Sequence, residues 1–239
     1  MAPVVVLPTY NEAENVAAMV AALRALPVPV SILVVDDASP DGTARLAASL
    51  AGGRSDLRVI ERQGPRGFGE ALTEGLRAAL ASGASAVVTM DCDFSHDPAA
   101  VPTLIRALEG AQLVIGSRYV PGGRLVGWPP VRRALSATAN AFVRALFGLR
   151  PRDCTSGFRA YRPDVLESTP WEKLHSPGYS FLVEVLYWGS RRPDVQIVEV
   201  PIVFTERRLG QSKMGLREIV QGAANLLRLR AQLWGGAGS

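Results

Sequence analysis

Three carboxylates stand within seven residues of one another in the stretch VVTMDCDFSHD, and two of them, Asp91 and Asp93, are separated by one residue. Two carboxylates about 4 Å apart repel by roughly 4 kcal/mol at an effective dielectric constant of 20. A divalent cation removes this repulsion, and carboxylate oxygens favour Mg²⁺ or Mn²⁺ over zinc. The spacing therefore predicts a Mg²⁺ or Mn²⁺ site that also binds a substrate diphosphate.

The predicted placement of this pair follows from strand geometry. Side chains two residues apart at the end of a strand point to the same side, so Asp91 and Asp93 would share one side and Cys92 would point into the core. The alternative for the pair is a solvated turn. We assign Asp97 a structural role, because it precedes Pro98 and can cap a helix that begins there.

A second acid pair occurs in DDASPDGT, directly after another apolar run. Asp41 or Ser39 can cap the helix that follows, whereas one carboxylate of the pair Asp36–Asp37 can accept hydrogen bonds from a base or a ribose. In PTYNE, Tyr10 can lie against a nucleobase and Glu12 can accept a hydrogen bond from it. Each segment taken alone is more often a helix cap or a turn.

Basic residues lie in three further segments. Arg118 ends an apolar run, Arg159 closes DCTSGFR, and Arg207 and Lys213 lie in FTERRLGQSK. A basic loop with Gly and Ser before a helix can close over phosphates. The alternative is a solvated loop, which we prefer for Arg208. Neither histidine has a partner at metal-ligand spacing; His175 is interpreted as structural and His96 is left open.

Alternating strands and helices must position these residues. The short apolar runs PVVVLPTYNE, SILVVDDASPDG, ASAVVTMDCD and QLVIGSRY predict buried strands, and residues 57–61 predict a weaker one. Helical patterns occupy residues 12–26, 43–50, 69–81 and 98–108. This order predicts an α/β fold, Rossmann-like, with a mostly parallel sheet and helices on both faces. The polar ends of the four strong strands should then meet at one edge of the sheet.

The pattern changes after Tyr119. PGGRLVGWPP reads as a loop, and helices are predicted for residues 131–147, 178–192 and 215–234. Residues 195–204 alternate as a strand does, and Pro201 favours an edge position. One face of the last helix is apolar and comprises Leu216, Ile219, Val220, Ala223, Leu226 and Leu227. Without a repeat or a linker, we predict a single domain of residues 1–234 and a disordered tail of residues 235–239.

The bulk composition limits the classes of protein. The chain has 239 residues, 48% of them hydrophobic and 20% charged, and two cysteines, which favour a reducing cytosol. No signal peptide and no transmembrane helix are predicted. The net charge of +4 favours an anionic partner, although solubility alone explains it equally well. The arginines are dispersed and no reader motif is present, so nucleic acid is not expected as a partner.

The six motifs PTYNE, DDASPDGT, DCDFSH, GSRY, DCTSGFR and FTERRLGQSK occur in this order. The ordered set resembles the dolichyl-phosphate (polyprenyl-phosphate) mannose synthases, a branch of the inverting family 2 glycosyltransferases with the GT-A fold. The resemblance runs from about Pro3 to about Leu227. It implies transfer of mannose from GDP-mannose to a polyprenyl phosphate by a cytoplasmic protein that lies peripherally on the cytosolic face of a membrane.

The resemblance also implies residue roles. Arg118 matches an arginine beside the acceptor phosphate, and Arg132 and Ser136 match a pair that holds the lipid phosphate. Arg207 and Lys213 match loop residues that bind the donor diphosphate. Asp91 and Asp93 match the metal motif, with Ser95 where relatives often have glutamine as a further ligand. The remaining donor contacts implied are Pro8, Tyr10, Glu12, Val35, Asp37 and Cys92.

The implied chemistry suits these residue types. The metal, Arg207 and Lys213 would stabilise the charge that grows on the nucleoside diphosphate. A phosphate oxygen is already ionised near neutral pH, so no strong general base is needed. Arg118 and Arg132 would orient the phosphate for in-line attack with inversion. The helices predicted at residues 131–147 and 215–234 could lie at headgroup level or simply pack on the domain. A partner protein or a neighbouring domain of a longer protein could supply the membrane contact instead.

Two alternatives stay open at this point. The same fold could use a UDP-sugar, with glucose or N-acetylglucosamine, and a polyprenyl phosphate acceptor, because neither acid pair distinguishes the donor. A protein that binds a nucleotide sugar without catalysis would bind the donor tightly and form no product.

Overall fold

A computed structural model describes residues 1–174, 176, 178, 180–206 and 216–235, with side chains of residues 221–233 in the last range. The predictions for Arg207, Arg208, Lys213 and His175 lie outside the described residues. Residues 236–239 of the predicted tail also lie outside the described residues. Gly235, which was predicted to begin the tail, belongs to the last helix. The single-domain boundary at residue 234 stays a prediction.

Nine strands occur in the described part of the chain. In chain order, β1 to β9 are Val4–Thr9, Ser31–Asp36, Leu57–Glu61, Val87–Thr89, Leu113–Ser117, Arg124–Val126, Arg159–Tyr161, Ile197–Pro201 and Val203–Thr205. The five strands predicted from the first half of the chain are confirmed, β3 with the predicted bounds and the other four with shorter bounds. The predicted strand of residues 195–204 is divided into β8 and β9.

The same residues contain eight α-helices. In chain order, α1 to α8 are Ala13–Arg24, Thr43–Ser49, Phe68–Ala81, Val101–Ala107, Pro130–Phe147, Pro163–Glu167, Ser180–Ser190 and Leu216–Gly235. A short 3₁₀ turn, Pro98–Ala100, precedes α4, and the Asp97 side chain accepts a hydrogen bond from the Ala99 amide. The capping role predicted for Asp97 is therefore confirmed.

Seven strands form one sheet in the order β3-β2-β1-β4-β7-β5-β8. β1 pairs in parallel with β2 and β4, β2 with β3, and β5 with β8, whereas β7 runs antiparallel between β4 and β5. The predicted mostly parallel sheet is confirmed. Pro201 lies in the edge strand β8, as predicted, and β6 and β9 form a separate parallel pair.

Helices cover both faces of this sheet, as predicted. Because side chains alternate along a strand, Val5 and Leu7 of β1 pack against α1 and α4, whereas Val4 and Val6 pack against α3 and α7 on the opposite face. Part of the predicted apolar face of α8 is confirmed, since Leu226 is buried. Ala223 and Leu227 are exposed, Leu227 by 52%, and the helix buries Leu229 instead, three residues after Leu226. The side chains of Leu216, Ile219 and Val220 lie outside the described residues.

The close contact between α3 and the sheet depends on Gly75. A Cβ atom at this position would lie 2.5 Å from Val6 Cγ1 and 2.9 Å from Val35 Cγ2. Both neighbours are stiff β-branched side chains of the sheet, so we expect Gly75→Ala to lower the free energy of unfolding by about 1–3 kcal/mol. Denaturant unfolding measures the effect.

A matched control for this substitution is Gly222→Ala in α8. A Cβ atom on Gly222 would meet no heavy atom within 4 Å. The higher helix propensity of alanine should then raise the free energy of unfolding by up to about 1 kcal/mol. Equal effects of the two substitutions would contradict the close packing of α3 on β1 and β2.

Candidate active site

A cavity of about 1410 Å³ opens at the carboxyl ends of β1, β2, β4 and β5, and we call it the central cavity. The polar ends of the four strong strands therefore meet at one edge, as the strand order predicts. Most of the predicted site residues line this cavity: Pro8, Tyr10, Glu12, Asp37, Asp91, Cys92, Asp93, Ser95, Arg118, Arg132 and Ser136.

Val35 is the exception among the described candidates. Its side chain is fully buried in the core beneath α3, and it does not line the central cavity. Val35 and Asp37 are two residues apart and share one face of the sheet, but Asp37 lies beyond the end of β2, where it reaches the cavity. The packing of α3 on the sheet covers this side chain, and the predicted donor contact of Val35 stays a prediction.

The acid pair lies in the loop after β4, not on the strand. β4 ends at Thr89, and Phe94 has a positive φ of 60°, so the loop turns sharply just after Asp93. The prediction that strand alternation aligns Asp91 and Asp93 was wrong, although both carboxylates do line the central cavity. They differ in environment: the Asp91 side chain is 26% exposed, whereas Asp93 is buried.

Ser95 holds the Asp93 carboxylate in place. The Ser95 amide donates to Asp93 Oδ1 over 3.0 Å, and the Ser95 hydroxyl donates to the same oxygen. In this arrangement the hydroxyl orients a carboxylate, and its predicted bond to a metal stays a prediction. Within the described ranges, no three His, Cys, Asp or Glu side chains come together in a way that could hold a metal ion.

The donor set nevertheless fits Mg²⁺ or Mn²⁺. Two hard carboxylates at a cavity wall leave the other coordination positions to water and diphosphate oxygens, which is the usual ligand set of protein-bound Mg²⁺. A zinc site would require more nitrogen or sulfur ligands. The Cys92 thiol between the two acids is buried in the core beneath α1 and α4, as predicted. Burial, with Glu12, Asp93 and Asp91 nearby, raises its pKa well above the usual value.

His96, which sequence reasoning left open, is a neutral structural residue. It is buried against Phe158 and Phe204, and its Nδ1 accepts a hydrogen bond from the Asp91 amide over 3.1 Å. Burial, together with the nearby charge of Arg118, lowers its pKa to about 4, because desolvation disfavours the imidazolium. His96 therefore fixes the backbone of the acid loop.

At the donor end, defined by Tyr10, Glu12, Asp37 and Arg66, Asp37 is already paired. Its Oδ1 forms an ion pair with the buried Arg62, and its Oδ2 accepts from the Gly67 amide over 2.7 Å. Arg62 also contacts Glu74. Sequence reasoning missed Arg62, because it lies 25 residues from Asp37 and only the fold brings the two together. The pair fixes the loop between β3 and α3.

That loop carries a second residue that sequence reasoning missed. Arg66 donates to the Tyr10 hydroxyl over 2.7 Å, and its guanidinium lies 4.9 Å from the centre of the Tyr10 ring. Both side chains line the central cavity. The signal in the sequence was the segment PRG between a strand and a helix. Glu12, on the same wall, accepts from Asn15 over 2.8 Å.

The acceptor end is defined by Arg118, Arg132 and Ser136. Arg118 forms a bidentate ion pair with Asp153, with both bonds 2.7 Å long, and its Nη2 also donates to Thr155. Burial opposes ionisation of Asp153, but the hydrogen bonds and charge of Arg118 outweigh burial and lower the pKa of Asp153 below 3.8. Arg118 thus reaches the cavity as part of a buried ion pair.

Arg132 and Ser136 lie one turn apart on α5. Arg132 donates to Glu206 over 2.5 Å and lies 3.8 Å from the centre of the Trp128 ring. Ser136 accepts a hydrogen bond from the Tyr119 hydroxyl over 2.7 Å. Trp128, Glu206 and these two residues of α5 all line the central cavity.

Arg159 does not line the cavity. It is fully buried and donates to the carbonyl oxygens of Ser156, Leu182 and Cys154. These bonds fix the loop between Asp153 and β7, so Arg159 supports the acceptor end from beneath.

Beyond the acceptor end, the cavity continues between α5 and α8. Leu135, Phe142 and Val143 line it from α5, and Leu226 lines it from α8. The sequence left open whether these two helices pack on the domain or contact lipid headgroups. Val143 and Leu226 pack on the domain, whereas Leu135 and Phe142 are about 40% exposed. Among the helices that the structure describes, none has the length and apolar character needed to cross a membrane.

These features define a class of protein. A mostly parallel α/β sheet, an acid pair at the carboxyl end of its fourth strand and a deep cavity with arginines at its wall are the features of a GT-A glycosyltransferase. The chain belongs to glycosyl transferase family 2, whose sequence profile matches residues 4–169.

Two relatives of known name indicate a narrower group for this chain within the family. The chain is 46% identical over 212 residues to a polyprenol monophosphomannose synthase of Mycolicibacterium smegmatis, an alignment that covers 88% of this chain and 80% of the relative. It is 40% identical over 223 residues to an undecaprenyl-phosphate mannosyltransferase of Micrococcus luteus, covering 93% and 91%. The resemblance predicted from the six motifs is confirmed, and the chain is a glycosyltransferase.

A solved structure supports the fold. Glucosyl-3-phosphoglycerate synthase from Mycobacterium tuberculosis, crystallised with Mn²⁺ and UDP-glucose, superposes with a TM-score of 0.67 at 25% identity. The match covers 96% of this chain and 79% of that chain.

Proposed function

We propose that this protein transfers mannose from GDP-mannose to a polyprenyl phosphate in a reaction that requires Mg²⁺ or Mn²⁺ and inverts the anomeric centre. The observation that supports this most is the continuity of the central cavity. It joins the acid pair, through Arg118 and Arg132, to the largely apolar part of the cavity between α5 and α8. The acid pair suits the diphosphate of a nucleotide sugar, the arginines suit a phosphate, and the apolar walls suit a lipid chain. The names of the two relatives support the choice of mannose and of a polyprenyl phosphate.

The donor would lie between the donor end and the acid pair. Tyr10 and Arg66 present a flat, cationic surface suited to a base, and Asp91 and Asp93 would hold the metal on the diphosphate. When bound, the metal supplies charge stabilisation for the leaving diphosphate. Arg207 and Lys213 are proposed to assist from the segment outside the described residues. Asp37 contributes by fixing the loop that carries Arg66.

The acceptor phosphate would lie at the acceptor end. Arg118 is held by Asp153, so its position is set before the substrate arrives, and such preorganisation lowers the cost of orienting the nucleophile. Arg132 and the Ser136 hydroxyl lie one helical turn apart and can contact the same phosphate. No general base is required, because the attacking phosphate oxygen is ionised near neutral pH. This agrees with the neutral, buried state of His96.

A transfer assay tests the proposal. Purified protein is incubated with a short polyprenyl phosphate and either GDP-mannose, UDP-glucose or UDP-N-acetylglucosamine, with and without Mn²⁺. We expect a mannosyl lipid only from GDP-mannose and only with the metal. Preferential transfer from a UDP-sugar would support the alternative donor class, which the UDP-glucose complex of the solved relative favours. Nucleotide binding without product would exclude catalysis.

We also propose that the protein lies peripherally on the cytosolic face of a membrane. Val131, Leu135 and Phe142 of α5 are exposed, at 80%, 41% and 40%, and Arg132, Arg133 and Arg144 lie on the same helix. Apolar side chains beside arginines are suited to an interface with anionic headgroups.

Vesicle flotation measures this contact. We expect the protein to float with vesicles that contain anionic lipid, and Val131→Asp to reduce the bound fraction severalfold, because a carboxylate at the surface is repelled by anionic headgroups. Ala17→Asp adds the same charge at an exposed position of another helix, α1, and serves as the control. Flotation only in the presence of a second protein would assign recruitment to a membrane partner instead.

A further inference from the structure

Both arginines at the acceptor end are paired with a carboxylate, but the two pairs differ in kind. Asp153 is fully buried, and it accepts hydrogen bonds from the Arg118 amide, from Nε and Nη2 of Arg118 and from Thr155. Withdrawing this carboxylate would leave several buried donors without partners, which is costly. The Arg118–Asp153 pair is therefore a fixed part of the fold.

The Arg132–Glu206 pair is of the opposite kind. The two side chains are 33% and 41% exposed, and Arg132 is the one hydrogen-bond partner of the Glu206 carboxylate among the described residues. The Glu206 backbone is anchored separately, because its amide donates to the Val126 carbonyl. The carboxylate can therefore turn into solvent while its backbone stays in place.

The position of Arg132 does not depend on Glu206 alone. The guanidinium also lies over the face of Trp128, whose ring packs edge-on against Phe204. Trp128 is buried, and its indole N–H has no hydrogen-bond partner in the described part of the chain. A cation held over a ring at the wall of the central cavity forms a place where an anion other than Glu206 can bind.

We propose that Glu206 is an internal competitor of the acceptor phosphate: its carboxylate neutralises Arg132 in the absence of substrate, and the phosphate displaces it. The inference rests on the proposed function. A phosphate monoester carries about −1.5 to −2 charges near pH 7 against −1 for a carboxylate, so the exchange favours the phosphate. A lipid without that charge gains too little at Arg132 to replace the carboxylate. Glu206 is thus a specificity-determining residue for a charged lipid phosphate.

The test is the kinetics of Glu206→Gln. Removing the competitor should lower the KM for a short polyprenyl phosphate by about two- to fivefold, the range that exposed ion pairs give. The KM for GDP-mannose should not change. Glu206→Asp keeps a carboxylate, so its KM for the acceptor should stay close to the wild-type value. Glu109→Gln removes the same charge from the surface outside the central cavity and serves as the matched control, with no change expected.

A second comparison separates competition from a general charge effect. In the Arg132→Gln background, Glu206→Gln should no longer lower the acceptor KM, because the contested cation is gone. An unchanged or raised acceptor KM in Glu206→Gln, with normal transfer by the wild type, would overturn this inference and leave the proposed function intact. Absence of lipid product from the wild type would overturn both.

Discussion

Asp93→Asn is expected to lower kcat for mannosyl transfer by a factor of about 10² to 10³ and to remove most of the dependence on Mn²⁺. Removing one preorganised electrostatic contact to the developing charge of a transition state costs about this much in other enzymes. Asp93 is suited to this role because it lines the central cavity and its carboxylate is oriented by Ser95. Initial rates at several Mn²⁺ concentrations measure the effect.

The substitution should leave the fold intact, because an asparagine oxygen can still accept both hydrogen bonds from Ser95. The matched control is Asp97→Asn, four residues along the chain. Asp97 caps the turn before α4 and does not line the cavity. Asparagine caps equally well, so kcat should match the wild type. Full, Mn²⁺-dependent activity in Asp93→Asn would exclude Asp93 as a metal ligand.

Arg118→Leu is expected to lower the free energy of unfolding by about 3–5 kcal/mol, since it leaves the fully buried Asp153 carboxylate without its cation. Asp153 is 0% exposed, so water cannot replace the lost hydrogen bonds. Denaturant unfolding measures the loss. Arg54→Leu is the matched control, because Arg54 is 64% exposed and its partner Asp56 keeps a second ion pair with Arg24. Its effect should stay below about 1 kcal/mol.

Arg118→Lys separates this stability from acceptor binding. Lysine keeps the charge but cannot reproduce the bidentate contact with Asp153. The protein should remain folded, and the KM for the lipid phosphate should rise by about tenfold or more while the KM for GDP-mannose stays the same. A rise in the donor KM instead would indicate that Arg118 contacts the donor and not the acceptor phosphate.

The first half of the chain was predictable because its strands are continuous apolar runs that end in polar motifs. β3 was predicted with its exact bounds, and the meeting of the strand ends at one edge follows from parallel pairing alone. β7 was missed because it has three residues, and its antiparallel position between β4 and β5 depends on the whole sheet. Short strands of this kind carry no periodicity of their own.

Residue types at the site were predictable, but their pairing was not. The sequence indicated Asp37, Arg118 and Arg132, and the structure places each in an ion pair, with Arg62, Asp153 and Glu206. These partners lie 25, 35 and 74 residues away along the chain. Local patterns indicate which groups can do chemistry, whereas the charge that each group presents is set by contacts that only the fold creates.

A crystal of the protein with Mn²⁺ and GDP-mannose, measured at the manganese absorption edge, tests the central claim most directly. We predict one anomalous peak within bonding distance of the Asp91 and Asp93 carboxylates and of the donor diphosphate, with the base beside Tyr10 and Arg66. A bound nucleotide with no manganese between these two aspartates and the diphosphate would contradict the account.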